Sequence, residues 1–268
     1  MLLAPNVLTK IKKIQWTNPL KNLKGHCYAC GNREEFIFKQ IITDSLAKSW
    51  ELSDKDRWNF DRRESLFCAH CSNSLRTRML AKTLVQIYGN QSNSLIQLVD
   101  ESDFQSLSIA EINSCGNLHQ FLVRPNILYS EFESENSSVP HEDLRKLNYK
   151  DNQFDLVLTS ETLEHVPDLV GSLGEVKRVL KPGGRHICTI PVMLNRRTRN
   201  CIKVTKKGTI VPLMPKSYHG EESIGFLVYR ELGGDIIEII ESCGFKVALY
   251  YVYPMNDTHS YVFVCTKE

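Results

Sequence analysis

The stretch from Asn152 to Pro191 limits the fold more than any other part of the chain. Phe154 to Leu158 is a short apolar run of the kind that forms a buried strand. It breaks into polar Thr159, Ser160 and Glu161 where such a strand would end. Leu169, Leu173, Val176 and Leu180 then recur at helical spacing. Lys177, Arg178 and Lys181 crowd the helix C-terminus, where cations suit the macrodipole, and Pro182-Gly183-Gly184 stops the helix. His186 to Pro191 reads as a second strand. Strand, helix and strand with such tight punctuation form a βαβ unit, so the two strands are parallel. Open α/β sheets hold ligands at the C-terminal ends of their parallel strands, which makes Ser160 and Glu161 candidate ligand-binding residues.

FDLVLTSETLEHVPD (154–168) followed by EVKRVLKPGG (175–184) resembles the fourth motif, the following helix and the turn of class I S-adenosylmethionine (SAM) methyltransferases. The resemblance implies an α/β protein built on a Rossmann-like, seven-stranded class I methyltransferase sheet, with SAM as cofactor. The plainer alternative is a doubly wound domain of some other function, since a fold fixes function only weakly.

Cys27-Tyr28-Ala29-Cys30 and Cys68-Ala69-His70-Cys71 are both C-x-x-C pairs. Each offers two thiolates from one tight turn, and Gly31 eases the first turn. The two pairs predict a structural Zn2+ held by Cys27, Cys30, Cys68 and Cys71 in a small zinc-ribbon-like module over residues 1–74, with a long insertion between the pairs. His26 and His70 lie beside them, but four cysteines already complete the shell. The alternatives are free cysteines or a redox C-x-x-C, and the redox version lacks its usual βαβ surroundings. The second pair is followed by Arg76-Thr77-Arg78 and a helix. This is similar to the N-terminal zinc segment of SAM methyltransferases found beside sugar- and polysaccharide-modifying enzymes. Arg76 and Arg78 then either bind an anionic group or cap the zinc turn.

The composition, 42% hydrophobic and 24% charged, is that of an ordinary globular chain, and a net charge of +2 gives no argument for nucleic acid. No apolar run reaches the ~18 residues of a membrane span. Met1 to Ala4 is soon followed by Asn6 and Lys10, which is not the order of a signal peptide. A cytoplasmic location is expected, where nine cysteines mean thiols rather than a disulfide framework.

Residues 75–268 are expected to form the methyltransferase domain. Leu75 to Tyr88 reads as a helix with Leu80, Leu84 and Ile87 on one face. Leu107 to Ile112 reads as the first sheet strand, followed by Asn113-Ser114-Cys115-Gly116. At this place the family has an acidic residue and a glycine-rich turn against the methionine part of SAM. Glu111 and Gly116 match that pattern, while Asn113 stands where a glycine is common and tolerates positive φ. Asn126 to Phe132 reads as the second strand, and Glu131 at its end is placed to accept hydrogen bonds from both ribose hydroxyls. Asp143, with Leu144, resembles the family's acidic position near the adenine amino group.

Residues 192–232 are too long for an ordinary connection. Ile202 to Thr205 and Thr209 to Leu213 read as a β-hairpin. Arg196, Arg197, Arg199, Lys203, Lys206, Lys207 and Lys216 make the segment basic. KKGT and YHG within it resemble the same sugar-associated group. A helix after Gly234-Asp235 and two antiparallel strands, Phe245 to Tyr253 and Tyr261 to Cys265, complete the domain.

The expected activity is SAM-dependent methyl transfer to a small-molecule or glycan acceptor. The basic insertion points to an anionic one, such as a phosphorylated sugar. O-methylation needs a base, and His165 and His219 are the histidines near the cleft. A zinc shell closed by four cysteines leaves no open metal position to activate an acceptor, so the transfer is expected to be metal-independent. The rival readings are a zinc-containing RNA methyltransferase, in which module and hairpin grip phosphates, and a non-catalytic SAM-fold or zinc-binding partner protein.

Overall fold

The computed structural model describes residues 24–134, 136–205, 207–219, 225–251 and 259–268. Glu135, Lys206 and the Gly220-Glu221-Glu222 segment lie outside the described residues, as do residues 1–23 of the expected module.

The chain opens with strands β1 (Lys24–His26) and β2 (Arg33–Phe38), helices α1 (Asp44–Ser49) and α2 (Asp54–Ser65), and strand β3 (Leu66–Cys68). The three strands form an antiparallel sheet in the order β1-β2-β3. Both helices between β2 and β3 are capped by hydroxyls: Thr43 accepts from the Leu46 N–H and Ser53 from the Asp56 N–H. Helix α3 (Leu75–Tyr88) starts on Ser74, which accepts from the Thr77 N–H, and buries Leu75, Met79, Leu80 and Leu84.

Short helices α4 (Leu95–Leu98) and α5 (Ser102–Gln105) precede strand β4 (Ile109–Ile112), and α6 (His119–Leu122) precedes β5 (Ile127–Ser130). Next come β6 (Phe154–Ser160), α7 (Leu169–Val179) and β7 (Leu180–Thr189). The insertion adds β8 (Val192–Met193), β9 (Arg199–Asn200), β10 (Ile202–Val204), β11 (Ile210–Pro212), β12 (Tyr218–His219), β13 (Phe226–Leu227) and β14 (Arg230–Gly233). Helix α8 (Ile236–Ser242) and strands β15 (Phe245–Tyr250) and β16 (Val262–Lys267) close the chain.

The main sheet runs β15-β16-β7-β6-β4-β5. Its four strands from β7 to β5 are parallel, and β16 is antiparallel to both its neighbours. This is the expected α/β architecture with six strands among the described residues, not seven. Among its described residues, the segment after β5, where a further edge strand would lie, makes only isolated bridges, Glu131 with His141 and Asp143 with Lys146. It is polar and carries Pro140; the Lys146 N–H donates to the Asp143 carbonyl at 2.8 Å and the Asn148 N–H to the Glu142 carboxylate, so these backbone donors are satisfied within the segment.

Alternate residues of the central strands feed two core layers. Ile109, Leu156, Leu158 and Ile187 face α3, and Ala110, Ile112, Val157 and Cys188 face α7 and α8. The first layer is continuous with Cys27, Ala29, Phe36, Leu66 and Cys68 of the N-terminal sheet. Helix α7 is capped by Asp168, which accepts from the Gly171 N–H at 3.0 Å, and buries Leu169, Leu173 and Val176. It ends at Val179, ahead of the Lys181-Pro182-Gly183-Gly184 stretch. That stretch is an irregularity inside β7: Phe154 pairs with Leu180 but Leu156 already pairs with Arg185. Gly183 sits at φ +76° in the loop-out.

Candidate active site and cysteine centre

The chain passes from β4 outward to β5, then crosses to the other side of β4 for β6 and β7. The C-terminal ends of β4 and β6 therefore flank the topological switch point, where open α/β sheets form a ligand crevice.

At the end of β4, Asn113 is at φ +59° and Gly116 at φ +64°, so the turn forms despite the missing glycines. The Asn113 side chain accepts from the Phe132 N–H at 2.9 Å, which ties this turn to the end of β5. Glu111 faces inward and is fully buried. One oxygen accepts from the Cys115 N–H at 2.8 Å and the other pairs with His119 Nδ1 at 2.6 Å. Hydrogen bonding to Glu111 raises the His119 pKa above its ordinary 6.5. Glu111 thus shapes the turn from below.

Glu131 follows β5 and accepts from the Tyr129 hydroxyl. It lines a cavity of about 750 Å³ with Phe132, Ser134, Pro140, His141 and Phe226. Asp143 lies further on and is paired with Arg145 at 2.6 Å. Burial alone would raise its pKa, but the hydrogen bonds from Arg145 outweigh that and lower it. Leu144 is buried in the second core layer.

At the end of β6, Ser160 shares a hydrogen bond with Thr189 Oγ1 at 2.8 Å and accepts one from Arg76. Glu161 is at φ +51° and is gripped by Arg63, Nη1 donating at 2.8 Å and Nη2 at 2.6 Å. Burial opposes its charge, yet the Arg63 and Arg76 cations hold the carboxyl down at about 2. Arg63 is fully buried and Arg76 also pairs with Glu64 at 3.1 Å. Arg78 donates to the Leu66 carbonyl at 2.9 Å and lies over the Phe36 ring. Arg76 and Arg78 are thus engaged within the chain.

His165 and His219 come together although far apart in sequence: His165 Nε2 is 3.0 Å from His219 Nδ1. His165 Nδ1 is 2.9 Å from the Leu227 carbonyl. The carbonyl only accepts, so Nδ1 carries the proton and Nε2 presents its lone pair. The β12–β13 hairpin supplies both His219 and that carbonyl. Arg230 of β14 clamps the loop by donating to the Leu163, Val166 and Pro167 carbonyls. Burial lowers both imidazoles, His219 to about 4. Phe226 connects the two halves, since it lines the Glu131 cavity and its ring lies 5.9 Å from the His165 ring.

Within the basic insertion, Arg196 and Arg199 are both paired with Glu231, at 2.9 and 2.6 Å, and Arg199 also with Glu51 at 2.6 Å. Two of the cations that make the segment basic, Arg196 and Arg199, are thus engaged within the chain.

The four cysteines converge. Sγ of Cys27 is 3.7 Å from that of Cys71, and Sγ of Cys30 is 3.9 Å from that of Cys68. Ligands at the zinc–thiolate distance around a tetrahedron stand about 3.8 Å apart, so the arrangement fits the ion. The two turns are built alike: the Gly31 N–H donates to the Cys27 carbonyl and the Ser72 N–H to the Cys68 carbonyl, with Gly31 at φ +80° and Ser72 at φ +56°. All nine cysteines of the chain are free thiols.

Residues 124–188 match a family model described as a methyltransferase domain. The match runs through β5, β6 and α7 into β7. It includes Glu131, Glu164 and His165, covers less than half of the chain and ends before His219. The demethylmenaquinone methyltransferase of Staphylococcus saprophyticus is 34% identical over 92 residues, 32% of this chain and 37% of the relative. Its Staphylococcus aureus counterpart is 42% identical over 64 residues, 22% of this chain and 27% of the relative. The chain thus spans about a third of the length of these curated relatives. Among solved structures, a SAM-dependent methyltransferase from Mesorhizobium loti has a TM-score of 0.39 at 16% identity, covering 60% of this chain and 91% of that one. The Burkholderia thailandensis 1,6-didemethyltoxoflavin-N1-methyltransferase, with 1,6-didemethyltoxoflavin and S-adenosylhomocysteine bound, has a TM-score of 0.43 at 14% identity, covering 71% and 76%.

The sequence points to the two histidines but assigns no role to Glu164, Arg63 or Arg230. Glu164 was visible in the LEHV run. Arg63 and Arg230 carry no local signal, because their partners are distant in sequence.

Proposed function

We propose that the chain is a SAM-dependent methyltransferase that transfers a methyl group to a hydroxyl of a small-molecule or glycan acceptor. The observation that carries this reading is the methyltransferase-domain match over 124–188 together with the crevice at its strand ends. In this reading Glu131 accepts hydrogen bonds from the ribose hydroxyls, and the Asn113–Gly116 turn receives the methionine part. Asp143 and Leu144 flank the adenine. Ser160 and Glu161, held by Arg76 and Arg63, form the floor of the site. Residues 75–268 carry the reaction, with 192–232 as the acceptor wall.

His219 serves as the base, and His165 orients it. Its Nδ1–H donates to His165 Nε2, which leaves His219 Nε2 with a free lone pair. The acceptor proton passes to that nitrogen, the acceptor oxygen forms the new C–O bond, and the C–S bond breaks with its electron pair going to sulfur. The four cysteines hold structural Zn2+, which supplies cross-linking of the two turns and no chemistry of the transfer. The free thiols suit a reducing, cytoplasmic setting.

The test is transfer of labelled methyl from SAM to a panel of sugar hydroxyls. His219→Ala should lose roughly 10²–10⁴-fold in turnover and keep its SAM affinity. If His219→Ala and His165→Ala both turn over like the parent, the histidine mechanism is refuted.

A further inference from the structure

Next to the two histidines lies Glu164, which takes no part in the proton transfer. Glu164 is fully buried, and neither carboxylate oxygen has a hydrogen-bond partner among the described residues. Burying a carboxylate without partners is costly, and a fold keeps such a group only if something compensates it. The nearby cations Arg63 and Arg76 are hydrogen-bonded to Glu161 and Glu64 and give it no direct partner. Glu164 Oε1 instead lies 3.5 Å from His165 Nε2 and 3.5 Å from His219 Nδ1, which are 3.0 Å from each other.

We propose that Glu164, His165 and His219 form a second metal site, distinct from the four cysteines, for a divalent first-row transition-metal ion such as Mn2+, Fe2+ or Co2+. Ligand atoms about 2.1 Å from a common ion stand about 3.0 Å apart at octahedral angles and about 3.4 Å apart at tetrahedral ones. The three atoms already hold those separations. His165 is also prepared in the way metal-bound imidazoles are: its Nδ1–H is held by the Leu227 carbonyl, which turns the Nε2 lone pair toward the cluster. His219 needs only to move its proton from Nδ1 to Nε2. Two imidazoles and one carboxylate suit transition metals better than Mg2+ or Ca2+, which prefer all-oxygen shells.

Three protein ligands leave coordination positions open. The role of the ion rests on the methyl-transfer reading: an open position takes the acceptor oxygen and lowers the pKa of its hydroxyl, whose proton then leaves to solvent. In the loaded protein His219 is a ligand, and in the metal-free protein it is the base. The binding claim itself stands on the geometry alone.

The test is Mn2+ titrated into the full chain, with its cysteine site loaded with zinc and neither SAM nor acceptor present. Bound and free ion are told apart by electron paramagnetic resonance. One Mn2+ per chain is expected. Glu164→Gln and His219→Ala, each checked for cooperative melting, should weaken binding roughly 10–100-fold or more. His219 lies on the short β12–β13 hairpin of the insertion, so its variant keeps the test usable if Glu164→Gln fails to fold. No bound Mn2+, or unchanged binding in a folded His219→Ala variant, overturns the proposal. Failure of SAM binding would refute the methyl-transfer reading and leave this result standing.

Discussion

The Glu111–His119 pair has a measurable signature. Its partner raises the His119 pKa above 6.5, so protonated His119 favours the folded state. That stabilisation is fully present below 6.5 and is lost as the pH rises through the raised value. His119→Gln should therefore flatten the stability curve between mildly acidic and mildly alkaline pH, as read from denaturant midpoints. An equal slope in the variant would mean that the pair carries no linkage. Glu111 was recognisable as an acidic residue at the strand end, but its inward direction was not. Burial follows from the partner across space, and neither the Cys115 N–H nor His119 announces itself in the local pattern.

Among the elements, the βαβ unit was readable because strand and helix periods differ and both run long enough to count. The KPGG stretch has the composition of a helix stop, yet the helix ends earlier and the glycines loop out of β7. Punctuation residues signal a break without saying which element they interrupt. Helix α2 was not foreseen: its buried positions include Asn59, Asp61 and Arg63, so it lacks an apolar stripe. It is nonetheless the helix that reaches the crevice, through Arg63 to Glu161. Arg63→Met leaves Glu161 with only Arg76, 3.9 Å away, and should cost about 3–5 kcal/mol. Adding Glu161→Gln should recover part of the loss. If the double variant is as unstable as the single one, packing rather than the charge pair explains the effect.

At the scale of the whole molecule, the cysteine module and the main sheet share one apolar layer. Zinc loss should therefore be felt beyond the module. Elemental analysis should find a zinc ion in the cysteine site, and a Cys68→Ser, Cys71→Ser variant should melt without a folded intermediate. A metal-free chain that melts like the parent would contradict this. The described residues contain no helix long and apolar enough to cross a membrane.

The central claim is that the crevice at the C-terminal ends of β4 and β6, with Glu131 of the β5 end beside it, binds SAM, and calorimetric titration of the full chain with SAM tests it most directly. One SAM per chain is expected. Glu131→Ala should lose on the order of 1–3 kcal/mol of binding, through the ribose hydroxyls, while Glu135→Ala binds like the parent. Absence of binding to the folded parent, or equal affinities in the two variants, would contradict it.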